Sequence, residues 1–110
     1  MSNDQTTKIR TLNDALRETL TGGQILMTSG VSGRGPAFVA AAPEAVHTFK
    51  DFSPDNDPHE EHDFGAFDLD GEKLFWKIDY YDLSMSFHSE DSADAAKTKR
   101  VLTVMLAEEY

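Results

Sequence analysis

The stretch that decides the fold is Phe64-Gly65-Ala66-Phe67-Asp68-Leu69-Asp70-Gly71-Glu72-Lys73-Leu74-Phe75-Trp76-Lys77-Ile78-Asp79-Tyr80-Tyr81. Along it the apolar residues tend to alternate with polar ones, the period of a strand, whose successive side chains point to opposite faces. At its centre Asp70-Gly71 predicts a two-residue hairpin, because a type I′ turn needs positive φ at both central positions. The register then follows by counting. Leu69 faces Glu72, Phe67 faces Leu74 and Gly65 faces Trp76 on one side. Asp68 faces Lys73, Ala66 faces Phe75 and Phe64 faces Lys77 on the other. The first set predicts a core face, with Gly65 leaving room for the indole of Trp76. The second predicts a cross-strand ion pair, Asp68–Lys73, worth roughly a few tenths of a kcal/mol.

Working outward, a turn near Asp82 predicts a return into a third strand, Ser84 to His88, with Met85 and Phe87 inward. Beyond it Val101, Leu102, Met105 and Leu106 suggest the buried stripe of a helix from Ala93 to Glu109, with Ser92 as its N-cap. The charges of that segment run against a helix dipole, since Lys97, Lys99 and Arg100 lie in its first half and Glu108 and Glu109 at its end. On the amino-terminal side, residues 1–6 are polar and expected to fray. Ile9, Leu12, Leu16 and Leu20 predict a helix from Thr7 to Leu20, stopped at Gly22-Gly23. A short strand is expected over Gln24–Ser29. Gly30, Gly33 and Gly35 then predict a flexible turn whose spacing matches neither a P-loop nor a dinucleotide fingerprint. Pro36 suits the first position of a helix whose face is Phe38, Ala42, Val46 and Phe49. Pro43 interrupts it, so the firm part of that helix is Pro43–Lys50. Asp51 to Asp63 reads as a loop. The resulting expectation is a single α+β domain over residues 1–110. Its small antiparallel β-sheet, a three-stranded meander plus one extra strand, packs against two or three helices.

The chain has 110 residues, no cysteine and a formal charge of -10. The lack of cysteine excludes a disulfide scaffold, thiol catalysis and thiolate zinc sites, and suits a cytoplasmic protein. No apolar run approaches the ~20 residues of a membrane span, and no signal pattern opens the chain. The acidity is concentrated. Residues 51–94 hold fourteen acidic side chains against Lys73 and Lys77, whereas the remaining chain holds eight basic and six acidic ones. Such a field repels nucleic acid and attracts basic surfaces or cations.

The densest polar run is Ser53 to Gly65. In an extended stretch Asp55, Asp57, His59, Glu61 and Asp63 would share a side at spacings of about 6.6–6.8 Å. Carboxylates suit a hard cation and imidazole suits zinc, iron or manganese, which makes His59, Glu61, His62, Asp63 and Asp79 candidate metal ligands. Established motifs do not fit. His59 and His62 are spaced i, i+3 rather than the i, i+4 of a zinc protease helix. An EF-hand counted from Asp55 would put Glu60 and Ala66 where glycine and glutamate are needed. On the hairpin, Lys77, Asp79 and Tyr81 lie opposite Trp76 and Ile78. Phe64 beside Lys77 brings the end of the acidic loop to that face, so His62, Asp63, Asp79 and Tyr81 can converge for acid–base work or for recognition. No serine sits in a nucleophile elbow.

The runs Phe52-Ser53-Pro54-Asp55-Asn56-Asp57-Pro58-His59, Glu61-His62-Asp63-Phe64-Gly65, Phe75-Trp76-Lys77-Ile78-Asp79-Tyr80-Tyr81-Asp82, Ser89-Glu90-Asp91 and Val101-Leu102-Thr103-Val104-Met105-Leu106-Ala107 carry a resemblance. From about Ile9 to Tyr110 the chain resembles a bacterial family of small acidic proteins filed as a domain of unknown function. Members of that family tend to be carried on plasmids, prophages and similar mobile elements. The resemblance implies no activity, cofactor or catalytic residue, and Pro43 with the glycine-rich stretch before it departs from the pattern. Size, charge and resemblance together lead to the expectation of a non-enzymatic binding protein, a mobile-element-encoded inhibitor of a host nucleic-acid-targeting defence system. Its carboxylates would imitate phosphates and occupy a basic protein surface or nucleic-acid-binding cleft. The candidate contact residues are Asp55, Asp57, Glu60, Glu61, Asp79, Tyr81, Asp82, Glu90 and Asp91. This reading needs no cofactor, no direct nucleic acid and no membrane, and leaves a homodimer open. The alternative is a small metal-binding protein or hydrolase holding a divalent metal in loop 55–63.

Overall fold

The computed structural model describes residues 4–19, 21–55 and 57–110. It contains α1 (Asp4–Thr19), β1 (Gly23–Met27), α2 (Ser29–Ser32), α3 (Pro36–His47), β2 (Phe64–Leu69), β3 (Glu72–Tyr81) and β4 (Lys99–Leu106). The four strands form one mixed sheet in the order β1-β4-β3-β2. This is the expected small α+β fold. β2, β3 and β4 make an antiparallel meander, and β1 is the extra strand, joined parallel to β4.

The hairpin register is the predicted one at all six pairs from Phe64↔Lys77 to Leu69↔Glu72. Asp70 and Gly71 both have positive φ, at 51° and 82°, as the turn requires. A Cβ built on Gly65 would lie 2.4 Å from Trp76 Nε1 and 2.6 Å from Phe49 Cζ, so only glycine lets the indole seat there. The Asp68–Lys73 ion pair is not among those that the described residues form, although the two residues are opposite in register.

Trp76, Leu74, Ile78 and Tyr80 of β3 and Leu102, Val104 and Leu106 of β4 form one face of the core. Ile9 and Leu16 of α1, Val31 of α2, and Phe38, Ala42 and Val46 of α3 close it from the helical side. Phe49 follows α3 and packs edge-on against Trp76, with ring centroids 5.5 Å apart.

Several expectations need correction. The segment read as a helix from Ala93 to Glu109 is a 3₁₀ turn at Ala95–Lys97 followed by β4, and then a second short turn at Ala107–Glu109. Asp94 rather than Ser92 supplies the cap, accepting from the amide of Ala96 at 2.9 Å. β4 is an inner strand, so Val101 and Met105 are apolar on one face while Leu102, Val104 and Leu106 are apolar on the other. That two-sided run imitates helical spacing. Of the basic cluster that fits a helix dipole badly, Lys97 ends the 3₁₀ turn and Lys99 and Arg100 open β4, so no long helix dipole acts on them.

Ser84–His88 is not a strand. It is a turn that touches β3 through one bridge, Tyr81↔His88. Asp82 Oδ1 gathers it by accepting from the Ser84 hydroxyl at 2.7 Å and the amides of Ser86 and Phe87 at 3.2 and 3.4 Å. Met85 and Phe87 point outward, 40% and 73% exposed.

α3 starts at Pro36 as expected but ends at His47, and it runs through Pro43. Part of the glycine-rich turn is α2, capped by the Thr28 hydroxyl. Residues 4–6 belong to α1 instead of fraying; residues 1–3 and Leu20 lie outside the described residues.

Candidate functional site

Two long connections leave the same end of the sheet. Loop 51–63 leads into the start of β2, and segment 82–98 joins the end of β3 to the start of β4. Phe64 pairs with Lys77, and Tyr81 pairs with Lys99, which puts both connections at one end of the meander.

Loop 51–63 is held by its own polar residues. The His62 ring stacks on Phe52 at 3.7 Å. Its Nδ1 lies 2.8 Å from Asp14 Oδ1 and its Nε2 lies 3.4 Å from Asp57 Oδ2. Asp57 is buried and also accepts from the His62 amide at 3.0 Å. Glu60 and His62 both take positive φ, 58° and 54°, and these contacts hold them in that left-handed conformation. Asp14 in turn pairs with Arg17 at 3.1 Å. The Arg17 guanidinium is buried, donates to the carbonyls of Val46 and His47 in the last turn of α3 and of Phe49 just beyond it, and lies over the Phe52 ring at 5.0 Å.

A second network ties this loop to segment 82–98 through α1. Asn13 donates to the Glu61 carbonyl at 2.9 Å and to the Tyr80 hydroxyl at 2.8 Å. The Tyr80 hydroxyl donates to Glu61 Oε1 at 3.0 Å. Burial, above all, pushes the Tyr80 phenol well above its ordinary range, so it serves as a donor and not as a base. Asn13 Oδ1 accepts from Arg100 Nε at 2.9 Å, and Arg100 also donates to the Ser92 carbonyl. Burial lowers the Arg100 pKa, and Tyr80 and Glu61 oppose that shift. Asp91 accepts from Gln5 at 2.8 Å and from the Ala93 amide at 3.2 Å.

Beside the loop lies an open cleft of about 380 Å³, lined in part by Asp55, His59, Asp63, Lys77, Asp79 and Tyr110. Asp63 is partly buried there. Burial raises its pKa, as do Glu61 and Asp57, while its own backbone amide and His59 offset part of the rise. Asp79 pairs with Lys77 at 3.1 Å.

The sequence candidates therefore divide. Asp57, Glu61, Asp82 and Asp91 spend their carboxylates on holding the two connections. Hydrogen bonding from Ser84, chiefly, holds the Asp82 carboxyl below its usual range. Asp55 and Glu60 are exposed on the loop, and Glu90 is exposed with Lys97 at 3.8 Å. Tyr81 lies half-buried on the sheet face away from the helices. Of the proposed metal ligands, His59, Asp63 and Asp79 share the cleft, whereas His62 and Glu61 turn to α1 and Tyr80. Among the described residues no group of three or more histidine, aspartate or glutamate side chains is placed to hold a metal ion, and no helix is long and apolar enough to cross a membrane. Sequence reading missed Asn13, Arg17 and Arg100. Their signal is faint but present: Asn13 and Arg17 fall beside Ile9 and Leu16 on the buried stripe of α1.

The family described as "Protein of unknown function (DUF3768)" matches residues 27–109. The match begins later than the resemblance noted above, leaving α1 and most of β1 outside it. Comparison with curated proteins and with solved structures yields no match.

Proposed function

The chain belongs to the DUF3768 family, and from that premise we propose that it is a non-enzymatic binding domain that docks on a basic protein surface through the acidic end of its sheet. The observation that carries this reading is the convergence of loop 51–63 and segment 82–98 on one end. Together they hold ten acidic residues against the single Lys97. Asp55, Glu60 and Glu90 supply exposed charge. Asp57, Glu61, Asp82 and Asp91 hold the backbone that carries them, so little loop entropy is lost on docking. A nucleic-acid-binding cleft on another protein is a surface of matching charge, and carboxylates standing where phosphates would lie make the domain its inhibitor. Electrostatic docking of this kind is salt-sensitive, because surface charges beyond ~8 Å are screened at physiological ionic strength.

The test is affinity capture from host lysate at about 0.05 and about 0.5 M salt, comparing the wild type with the triple variant Asp55→Asn, Glu60→Gln, Glu90→Gln. A basic partner whose recovery falls with salt and with the variant is expected. Recovery indifferent to both would refute the reading.

A further inference from the structure

Among the described residues five large apolar side chains are exposed, and three of them, Leu83, Met85 and Phe87, lie in one turn. Apolar residues scattered singly over a surface are ordinary, whereas a cluster marks a site of interaction. Leu83 is 56% exposed, and none of the three belongs to the core cluster. A loose loop would fold such side chains away from water. This turn is held open. To the three bonds that Asp82 Oδ1 accepts, the backbone adds two. The Asp82 amide donates to the Phe87 carbonyl at 2.8 Å, and the Met85 amide donates to the Asp82 carbonyl at 3.0 Å. The bridge between Tyr81 and His88 closes the base. Met85 takes a φ of 61°, a left-handed conformation that a long side chain keeps only where its surroundings impose it. A strained, hydrogen-bonded turn thus displays apolar groups that contribute nothing to the core. Its surroundings are acidic. Segment 82–98 holds Asp82, Glu90, Asp91 and Asp94 against Lys97, and Lys99 follows opposite Tyr81. A cleft of about 420 Å³ beside the turn is lined by Asp82, Leu83, His88, Glu90 and Lys97, so apolar and anionic groups share one surface.

We propose that Leu83, Met85 and Phe87 are the apolar anchor of the acidic docking surface, seated in the complex on an apolar patch ringed by lysine and arginine on a partner protein. Charge selects this occupant. Two copies of the chain meeting turn to turn would bring the acids of both segments together, and an anionic lipid surface is repelled in the same way. An apolar patch within a basic surface is complementary in both respects. The division of labour follows from range. Acidic groups at the rim act over several ångströms and govern encounter and orientation, whereas apolar side chains desolvated at the centre govern release. The turn is already formed, so little freedom is lost when it docks. The proposal rests on the acidic docking reading and adds to it the group that carries affinity where salt screens the charges.

Two synthetic peptides of equal length and positive charge serve as probes, one of lysine and glycine, the other an amphipathic helix of lysine and leucine. Fluorescence anisotropy reads their binding at about 0.05 and about 0.5 M salt. The wild type should bind the leucine peptide at least about tenfold more tightly than the glycine peptide, and the preference should survive high salt. A variant carrying both Leu83→Ser and Phe87→Ser should lose the preference and bind the glycine peptide as the wild type does. The triple variant of Asp55, Glu60 and Glu90 should bind both peptides more weakly. Both serine positions already lie in water, so the urea midpoint should stay at the wild-type value; a lowered midpoint would assign these side chains to the fold and overturn the proposal. Equal affinity of the wild type for the two peptides, or a preference that the serine variant retains, overturns the anchor and leaves the acidic reading standing. A triple variant that binds both peptides as the wild type does overturns the acidic reading, and the anchor with it. Binding of the wild type to phosphatidylcholine vesicles, or self-association that the serine variant abolishes, assigns the turn a different occupant and also overturns the proposal.

Discussion

Asn13 is fully buried in α1, and its amide makes three hydrogen bonds that no neighbouring group replaces. Replacing it with alanine leaves the Glu61 carbonyl and the Tyr80 hydroxyl each one partner short. Arg100 keeps the Ser92 carbonyl and the face of the Tyr80 ring, 5.2 Å from its guanidinium carbon, but its Nε is orphaned. A hydrogen bond to a charged group contributes about 1.5–3 kcal/mol and a neutral one about 0.5–1.5 kcal/mol. A water entering the small polar void recovers part of the loss. The expected cost is about 3–4 kcal/mol, a large share of the ~5–15 kcal/mol that holds a domain together. With a urea slope of ~1.5 kcal/mol/M this is a fall of about 2 M in the unfolding midpoint. Trp76 is the only tryptophan and is fully buried, so its fluorescence reports the transition directly. Asn13→Asp separates the contributions. It keeps the acceptor for Arg100 and adds a counter-charge but loses both donated hydrogen bonds, so it should cost about half as much. An alanine variant within about 1 kcal/mol of wild type would refute the view of Asn13 as the hub. An aspartate variant less stable than alanine would show that the Arg100 contact is not the dominant one.

Gly65→Ala drives a methyl group into Trp76 and Phe49 and should cost about 1–3 kcal/mol, with a shifted Trp76 emission in the folded state; unchanged stability and emission would contradict the fit described. Two carboxylates should show opposite pH signatures in denaturation of point variants. The Asp63 pKa is raised above its ordinary 3.8, so the native state holds more protons than the unfolded one just above that pH. The stability tied to its protonated form is complete below pH 3.8 and is lost as pH rises through the folded value; Asp63→Asn should therefore gain on wild type above that window and not below it. The Glu109 pKa is lowered from 4.5, chiefly by the Thr28 hydroxyl at 2.6 Å and then by the Leu106 amide at 2.8 Å. Its contribution is present above pH 4.5 and is lost as pH falls through the folded value, so Glu109→Gln should be less stable near neutrality and converge with wild type in acid. Like signs for the two variants would contradict these assignments.

The hairpin was legible because everything that determines it is local. A turn dipeptide that demands positive φ, and alternation on both sides of it, fix the register without reference to any other element. β4 was not legible for the complementary reason. Its neighbours β1 and β3 lie on either side of it, and nothing in Lys99–Leu106 names them. An inner strand that is apolar on both faces presents the same run of apolar residues as a buried helix turn. The β-branched Val101, Thr103 and Val104 and the unfavourable charge order were the available signs, and both favour a strand.

The acidic end of the sheet was legible only as composition. Sequence places Asp55, Asp57, Glu60 and Glu61 within one loop, but the difference between Glu60, which faces solvent, and Asp57, which is buried against His62, depends on α1. Here the polar residues on the inner face of α1 become informative. Burying Asn13 and Arg17, and opposite them Arg100, is a poor route to stability, since well-packed apolar side chains of similar volume commonly do as well or better. What these residues do that leucine cannot is grip particular backbone carbonyls. Asn13 holds Glu61 in loop 51–63, Arg17 holds Val46, His47 and Phe49 just before that loop, and Arg100 holds Ser92 in segment 82–98. Asn13 and Arg100 fasten the irregular, charged connections to regular structure, and Arg17 fixes the end of α3 from which loop 51–63 departs. Without them the exposed carboxylates would repel one another into an extended, mobile loop, and a binding partner would have to order it at the cost of affinity. A core that keeps buried polar groups whose bonds go to the acidic segments and their approaches is what a surface of fixed, like-signed charge requires.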